Sequence, residues 1–146
     1  MKYVMMLVLV MCVAQAPAQT MKEVWSAMPD SVMPLLSKNN RLDCVDYWEA
    51  GQQGDVKNRL EGKVSILFMN EDSLAVADTE SSSYEMKLKK GERGDLLSIT
   101  VRRVVKTGDI TDWTERIYSP SWRLLKERLA PKEVFEENLM KGTIYL

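Results

Sequence analysis

The spacing of apolar positions along this chain changes from helical to strand-like near residue 62. Met21, Val24, Trp25 and Met28 fall at i, i+3, i+4 and i+7, one face of a helix that Pro29 ends. Asp30 or Ser31 can cap a second helix with Val32, Leu35 and Leu36 on its apolar face, which requires Pro34 to lie in the first turn. Asn39-Asn40 then reads as an exit turn. Asp43 can cap a third short helix that carries Val45, Tyr47 and Trp48 and stops at Gly51.

From Gly62 the period is two. Val64, Ile66 and Phe68 alternate with Ser65, Leu67 and Met69, and Leu74 to Asp78 is a weaker second strand. Tyr84, Met86 and Leu88 alternate with Glu85, Lys87 and Lys89. Leu97, Ile99, Val101 and Val105 face one side, with Ser98, Thr100 and Arg102 opposite, and Trp113 to Tyr118 is a fifth strand. Polar turns at Asn70-Glu71-Asp72, Ser81-Ser82-Ser83, Gly91 to Gly94 and Gly108-Asp109 join them. Trp122-Arg123-Leu124-Leu125 reads as an extended stretch or short strand. Pro131 then starts a helix with Val134, Phe135 and Leu139 on one face, and Thr143 to Leu146 is β-prone.

This order predicts a two-layer α+β domain: short N-terminal helices packed on an antiparallel meander of about five strands, with a short C-terminal helix. No internal repeat or linker divides it, so a single domain is expected over residues 19–146.

The chain start supplies an address. Lys2 precedes an almost unbroken apolar run from Tyr3 to Val13, and Ala16 and Ala18 form a small-x-small pair. That is the pattern of a secretory signal peptide over residues 1–18, with a run too short to span a membrane. Cleavage after Ala18 leaves about 128 residues beginning at Gln19 and without a transmembrane segment. The expected location is the periplasm, the outer-membrane surface or the exterior. Met11 before Cys12 is a poor fit to a lipoprotein signal, which wants a small residue there.

Charge and composition remove function classes. With Lys2 gone the chain carries 19 basic and 21 acidic residues, so no basic excess points to nucleic acid. There is no histidine, which excludes Ser-His-Asp triads, Cys-His dyads and histidine metal sites. Cys44 is the one cysteine left after cleavage and reads as a small buried apolar residue. No phosphate loop, nucleophile elbow, cofactor motif or metal-ligand pair is present in the sequence. The expectation is a non-enzyme without cofactor or metal.

The remaining candidates are patches. Trp25 and Trp48 read as core anchors, whereas Trp113, among Asp112, Thr114, Glu115 and Arg116, reads as exposed. With Tyr118 and Trp122 it is the candidate binding patch for a protein or glycan. Asp43, Asp46 and Glu49 share a helix face, either as an acid/base or cation site or as a solvated surface. Lys87, Lys89, Lys90, Arg93, Arg102, Arg103 and Lys106 read as the wet side of the sheet. Ser31 and Ser73 follow aspartates and precede apolar residues, a loose O-glycosylation pattern, and also suit turns.

The run Trp25-Ser26-Ala27-Met28-Pro29-Asp30-Ser31-Val32, then Leu35, Asn39-Asn40-Arg41-Leu42-Asp43, and the close at Tyr118-Ser119-Pro120-Ser121-Trp122, resembles a family of exported, functionally uncharacterised proteins of the Bacteroides lineage. The resemblance implies an envelope address and brings no activity or catalytic residues. A weaker, topological resemblance is to the β-lactamase-inhibitor-like and PepSY-like periplasmic domains, some of which bind and inhibit proteins. The leading expectation is therefore an exported, non-catalytic binding or interaction module. The alternatives are a carrier of a lipid or other apolar ligand between helices and sheet, and a carboxylate-based hydrolase.

Overall fold

A computed structural model of the protein describes residues 19–54 and 56–130. The expected signal peptide, the helix from Pro131 and the Thr143–Leu146 stretch lie outside the described residues. Two helices, α1 (Met21–Ala27) and α2 (Lys38–Glu49), precede strands β1 (Val56–Lys57), β2 (Lys63–Met69), β3 (Ser73–Ala77), β4 (Ser82–Lys90), β5 (Leu96–Thr107), β6 (Ile110–Tyr118) and β7 (Leu124–Leu129). Each strand pairs antiparallel with the next, so the sheet order is the chain order. The meander thus has seven strands, not five, and the α+β domain is mostly sheet. The two extra strands are the outermost: β1 is too short to show a period, and the exposed β7 has no apolar face to alternate.

Short side-chain bonds close the helix starts. Thr20 and Glu23 form a reciprocal capping box on α1. Ser37, not Asp43, caps α2, its hydroxyl accepting from the Asn40 amide at 3.3 Å. Asn39-Asn40 therefore lies in the first turn of α2 and is not an exit turn, and the expected third helix is the second half of α2. The helix expected over Val32–Leu36 does not form. Pro34 supplies no amide and restricts Met33, and the segment instead makes two successive turns, Val32 N to Pro29 O and Leu36 N to Met33 O.

Arg41 holds that segment. It is fully buried and donates to the carbonyls of Met28 and Leu36 and to Asp30 Oδ1. Trp25 Nε1 in turn donates to the Arg41 carbonyl at 2.9 Å. One guanidinium thus satisfies the Met28 and Leu36 carbonyls, while the Leu35 carbonyl accepts from the Arg59 amide at 2.8 Å. The apolar residues around it, Trp25, Met28, Met33 and Leu36, are buried and pack with Val64, Val76, Met86 and Ile99 of the sheet. Full burial of each such side chain contributes about 1.5–3 kcal/mol.

The core lies on one face of the sheet. Leu88, Ile99 and Tyr118 form one cross-strand row there, and Tyr84, Arg103 and Thr114 another. The open face carries Lys87, Lys89, Arg102 and Lys106, as expected for a wet side. Arg103 is an exception: next to Arg102 in sequence, it must point to the opposite face. On the open face Glu115 is only 8% exposed, held by Arg102 at 2.9 Å and Arg128 at 3.4 Å.

Candidate functional site

Where α2 ends, its last turn stands away from the sheet edge. Gly51 leaves the helix at φ +65°, a conformation that suits glycine, and Gln52 N returns to Tyr47 O at 2.9 Å. The chain then passes directly over the Tyr47 ring. A Cβ on Gly54 would fall 2.0 Å from a ring carbon, so only glycine allows this approach.

The result is a groove of about 500 Å³ between α2 and β2. Tyr47 and Trp48 wall the helix side, Ile66 and Leu67 the strand side, and Cys44 lines it from the buried face of α2. Such a volume is in the range of small-molecule and side-chain pockets. Its rim is apolar and open: Leu67 is 57% exposed, Tyr47 40% and Trp48 36%. Trp48 is therefore not the core anchor its sequence context suggests, whereas Trp25 is.

β2 adds a second property. β1 pairs only with Lys63 and Val64, so from Ser65 to Met69 the outer edge of β2 has no partner strand among the described residues. A register irregularity between Ile66 and Phe68 turns Leu67 outward. Unpaired main-chain groups thus run beside an apolar groove.

The Cys44 thiol is buried, and burial followed by the nearby Asp43 carboxylate pushes its pKa up to about 12. At neutral pH it is protonated and lines the groove as an apolar group, without nucleophilic character. Asp43, Asp46 and Glu49 all stand exposed on α2, Glu49 paired with Lys22 at 2.6 Å, and none lines the groove. Among the described residues no three His, Cys, Asp or Glu side chains cluster to hold a metal.

The sequence profile of a family described as "Protein of unknown function (DUF3256)" matches residues 13–142. The chain belongs to the DUF3256 family. No match is found among curated proteins or among solved structures.

In this DUF3256 protein the three aromatics expected to form a patch are divided between the two faces. Tyr118 is buried on the core face, its ring 5.5 Å from that of the half-buried Trp122. Trp113 lies an odd number of residues away on the same strand, hence on the open face, where Arg102 sits 5.0 Å over its ring. Ser31 is exposed in the turn segment after α1, and Ser73 is half-buried at the start of β3 with its amide bonded to Asn70 Oδ1. The groove itself was not expected. Its signal was the pair Gly51 and Gly54 just after Tyr47-Trp48, which reads as a helix stop until the ring contact is seen.

Proposed function

We propose that this DUF3256 protein is an exported, non-catalytic binding module of the bacterial envelope that takes an extended apolar segment of a partner protein along the β2 edge. The observation that carries this reading is the coincidence of the Ser65–Met69 edge, which has no partner strand among the described residues, with the groove walled by Tyr47, Trp48 and Leu67. Main-chain pairing gives such a complex its affinity, and a side chain seated in the groove gives it specificity. The signal-peptide pattern of residues 1–18 supports the envelope address.

The carrier alternative draws support from the same cavity, since about 500 Å³ can hold an apolar chain segment. The hydrolase alternative has no converging carboxylates behind it among the described residues, because Asp43 and Asp46 stand on open helix surface.

One titration separates the first two readings. Extended apolar peptides and, separately, dodecanoate are added to the isotope-labelled protein while amide shifts and hydrogen exchange are followed. Peptide binding that slows exchange at Ser65–Met69 and disappears in Leu67→Glu supports the binding module. Dodecanoate saturating the groove without protecting those amides favours the carrier. No response of β2 to either ligand overturns both.

A further inference from the structure

The segment between α1 and α2 leaves part of the sheet's core face uncovered. Beyond it lies a second cavity of about 220 Å³, bounded by Ser31 on one side and floored by Tyr84 of β4, Arg103 of β5 and Thr114, Arg116 and Tyr118 of β6. It is separate from the groove and shares no lining residue with it.

Its chemistry is that of an anion receptor. Two arginines and four hydroxyl-bearing residues are among those that line it. Arg116 donates through Nε to Glu127 Oε2 at 2.5 Å and also hydrogen-bonds to the Tyr118 side chain, so one carboxylate already matches its charge and Arg103 is the guanidinium that supplies unmatched charge. Arg103 has no carboxylate partner among the described residues. Its guanidinium lies 5.8 Å from the centroid of the Tyr84 ring, which orients it without neutralising it. Tyr84 is 6% exposed, and its hydroxyl makes no hydrogen bond among the described residues. Tyr84, Arg103 and Thr114 stand directly opposite one another across three paired strands, so their spacing is fixed by the sheet ladder.

We propose that this cavity binds an oxyanion, the carboxylate or phosphate group of a small ligand, between the Arg103 and Arg116 guanidinium groups, with the Tyr84 and Thr114 hydroxyls as neutral donors. A guanidinium fork matches either group bidentately, and neutral hydroxyls fill the remaining acceptor sites without adding charge. Tyr84, Arg103, Thr114 and Arg116 all stand on strands, which favours preformed spacing of these four.

The test is a titration of the purified protein with acetate and, separately, inorganic phosphate at constant ionic strength, read by amide and side-chain shifts. The expected result is saturable binding of at least one anion, with shifts centred on Tyr84, Arg103, Thr114 and Arg116. Arg103→Gln should weaken it at least tenfold, while the groove variant Leu67→Glu leaves it intact. Should Arg103→Gln fold poorly, Thr114→Val is the second variant, and a loss of affinity there carries the same meaning. Acetate alone assigns a carboxylate ligand, and phosphate alone a phosphate ligand. The proposal is overturned if neither anion gives saturable shifts up to about 10 mM, ten times a millimolar Kd, or if folded Arg103→Gln binds with equal affinity.

Discussion

Arg41 Nη1 lies 2.8 Å from Asp30 Oδ1, and the two ends of this pair live in different solvents: the Arg41 side chain is fully buried, the Asp30 side chain 47% exposed. The arginine also holds the carbonyls of Met28 and Leu36, so its removal strands buried acceptors, whereas loss of the Asp30 charge leaves those bonds in place. Arg41→Ala is expected to cost about 3 kcal/mol or more, and Asp30→Asn no more than about 1 kcal/mol. Urea unfolding followed by tryptophan fluorescence measures both. Equal costs would mean that the ion pair, not the carbonyl bonds, anchors the segment.

Gly54 and Gly51 make a paired test of the groove. Gly54→Ala drives a methyl group into the Tyr47 ring, for an expected cost of about 1–3 kcal/mol and a loss of apolar-probe binding in the groove. Gly51→Ala meets no atom but strains a positive φ, for about 1 kcal/mol and no loss of probe binding. Thermal unfolding and binding of a fluorescent apolar probe read the two effects separately.

Cys44 makes stability fall at high pH. Its thiol pKa is raised from 9.0 to about 12 in the folded protein. Below pH 9 both folded and unfolded chains keep the proton, and this contribution is fully present. Between pH 9 and about 12 the unfolded thiol ionises first, so stability declines as pH rises. Cys44→Ala should flatten that decline in urea midpoints measured across the window. The same protonation predicts that a disulfide reagent modifies native Cys44 at pH 8 far more slowly than the urea-unfolded chain.

Export predicts one mass. Protein recovered from its own envelope fraction should begin at Gln19. A glycan series added to that mass would implicate Ser31 or Ser73. A chain still beginning at Met1 in the envelope would overturn the cleavage expected after Ala18.

Strand alternation was legible wherever one face is buried and the other wet. Tyr84, Met86 and Leu88 mark β4, and Ile99 and Val101 mark β5, because burial writes a period of two directly into residue type. Elsewhere the same reasoning failed for physical causes. Val32, Leu35 and Leu36 have helical spacing, but Pro34 interrupts the helix, and the Leu36 and Leu35 carbonyls are taken instead by the Arg41 guanidinium and the Arg59 amide. β7 has leucines and charges without alternation because it is exposed throughout. The three candidate aromatics were legible as aromatics, but their faces follow from register, which a strand sequence fixes only once its partners are known.

The two ends of the sheet also differ in how they would meet another copy of themselves. In a closed two-fold pairing of β7 edges, facing positions are both even or both odd. Centred on Lys126 this sets lysine against lysine; centred on Glu127 it sets glutamate against glutamate and Lys126 against Arg128. Like charges would face each other in both of these registers, whereas a pairing centred on Leu125 sets leucine against leucine. The free stretch of β2, Ser65-Ile66-Leu67-Phe68-Met69, carries no charge at all. Among the described residues the two ends of the sheet therefore differ in charge, present along β7 and absent from the free stretch of β2.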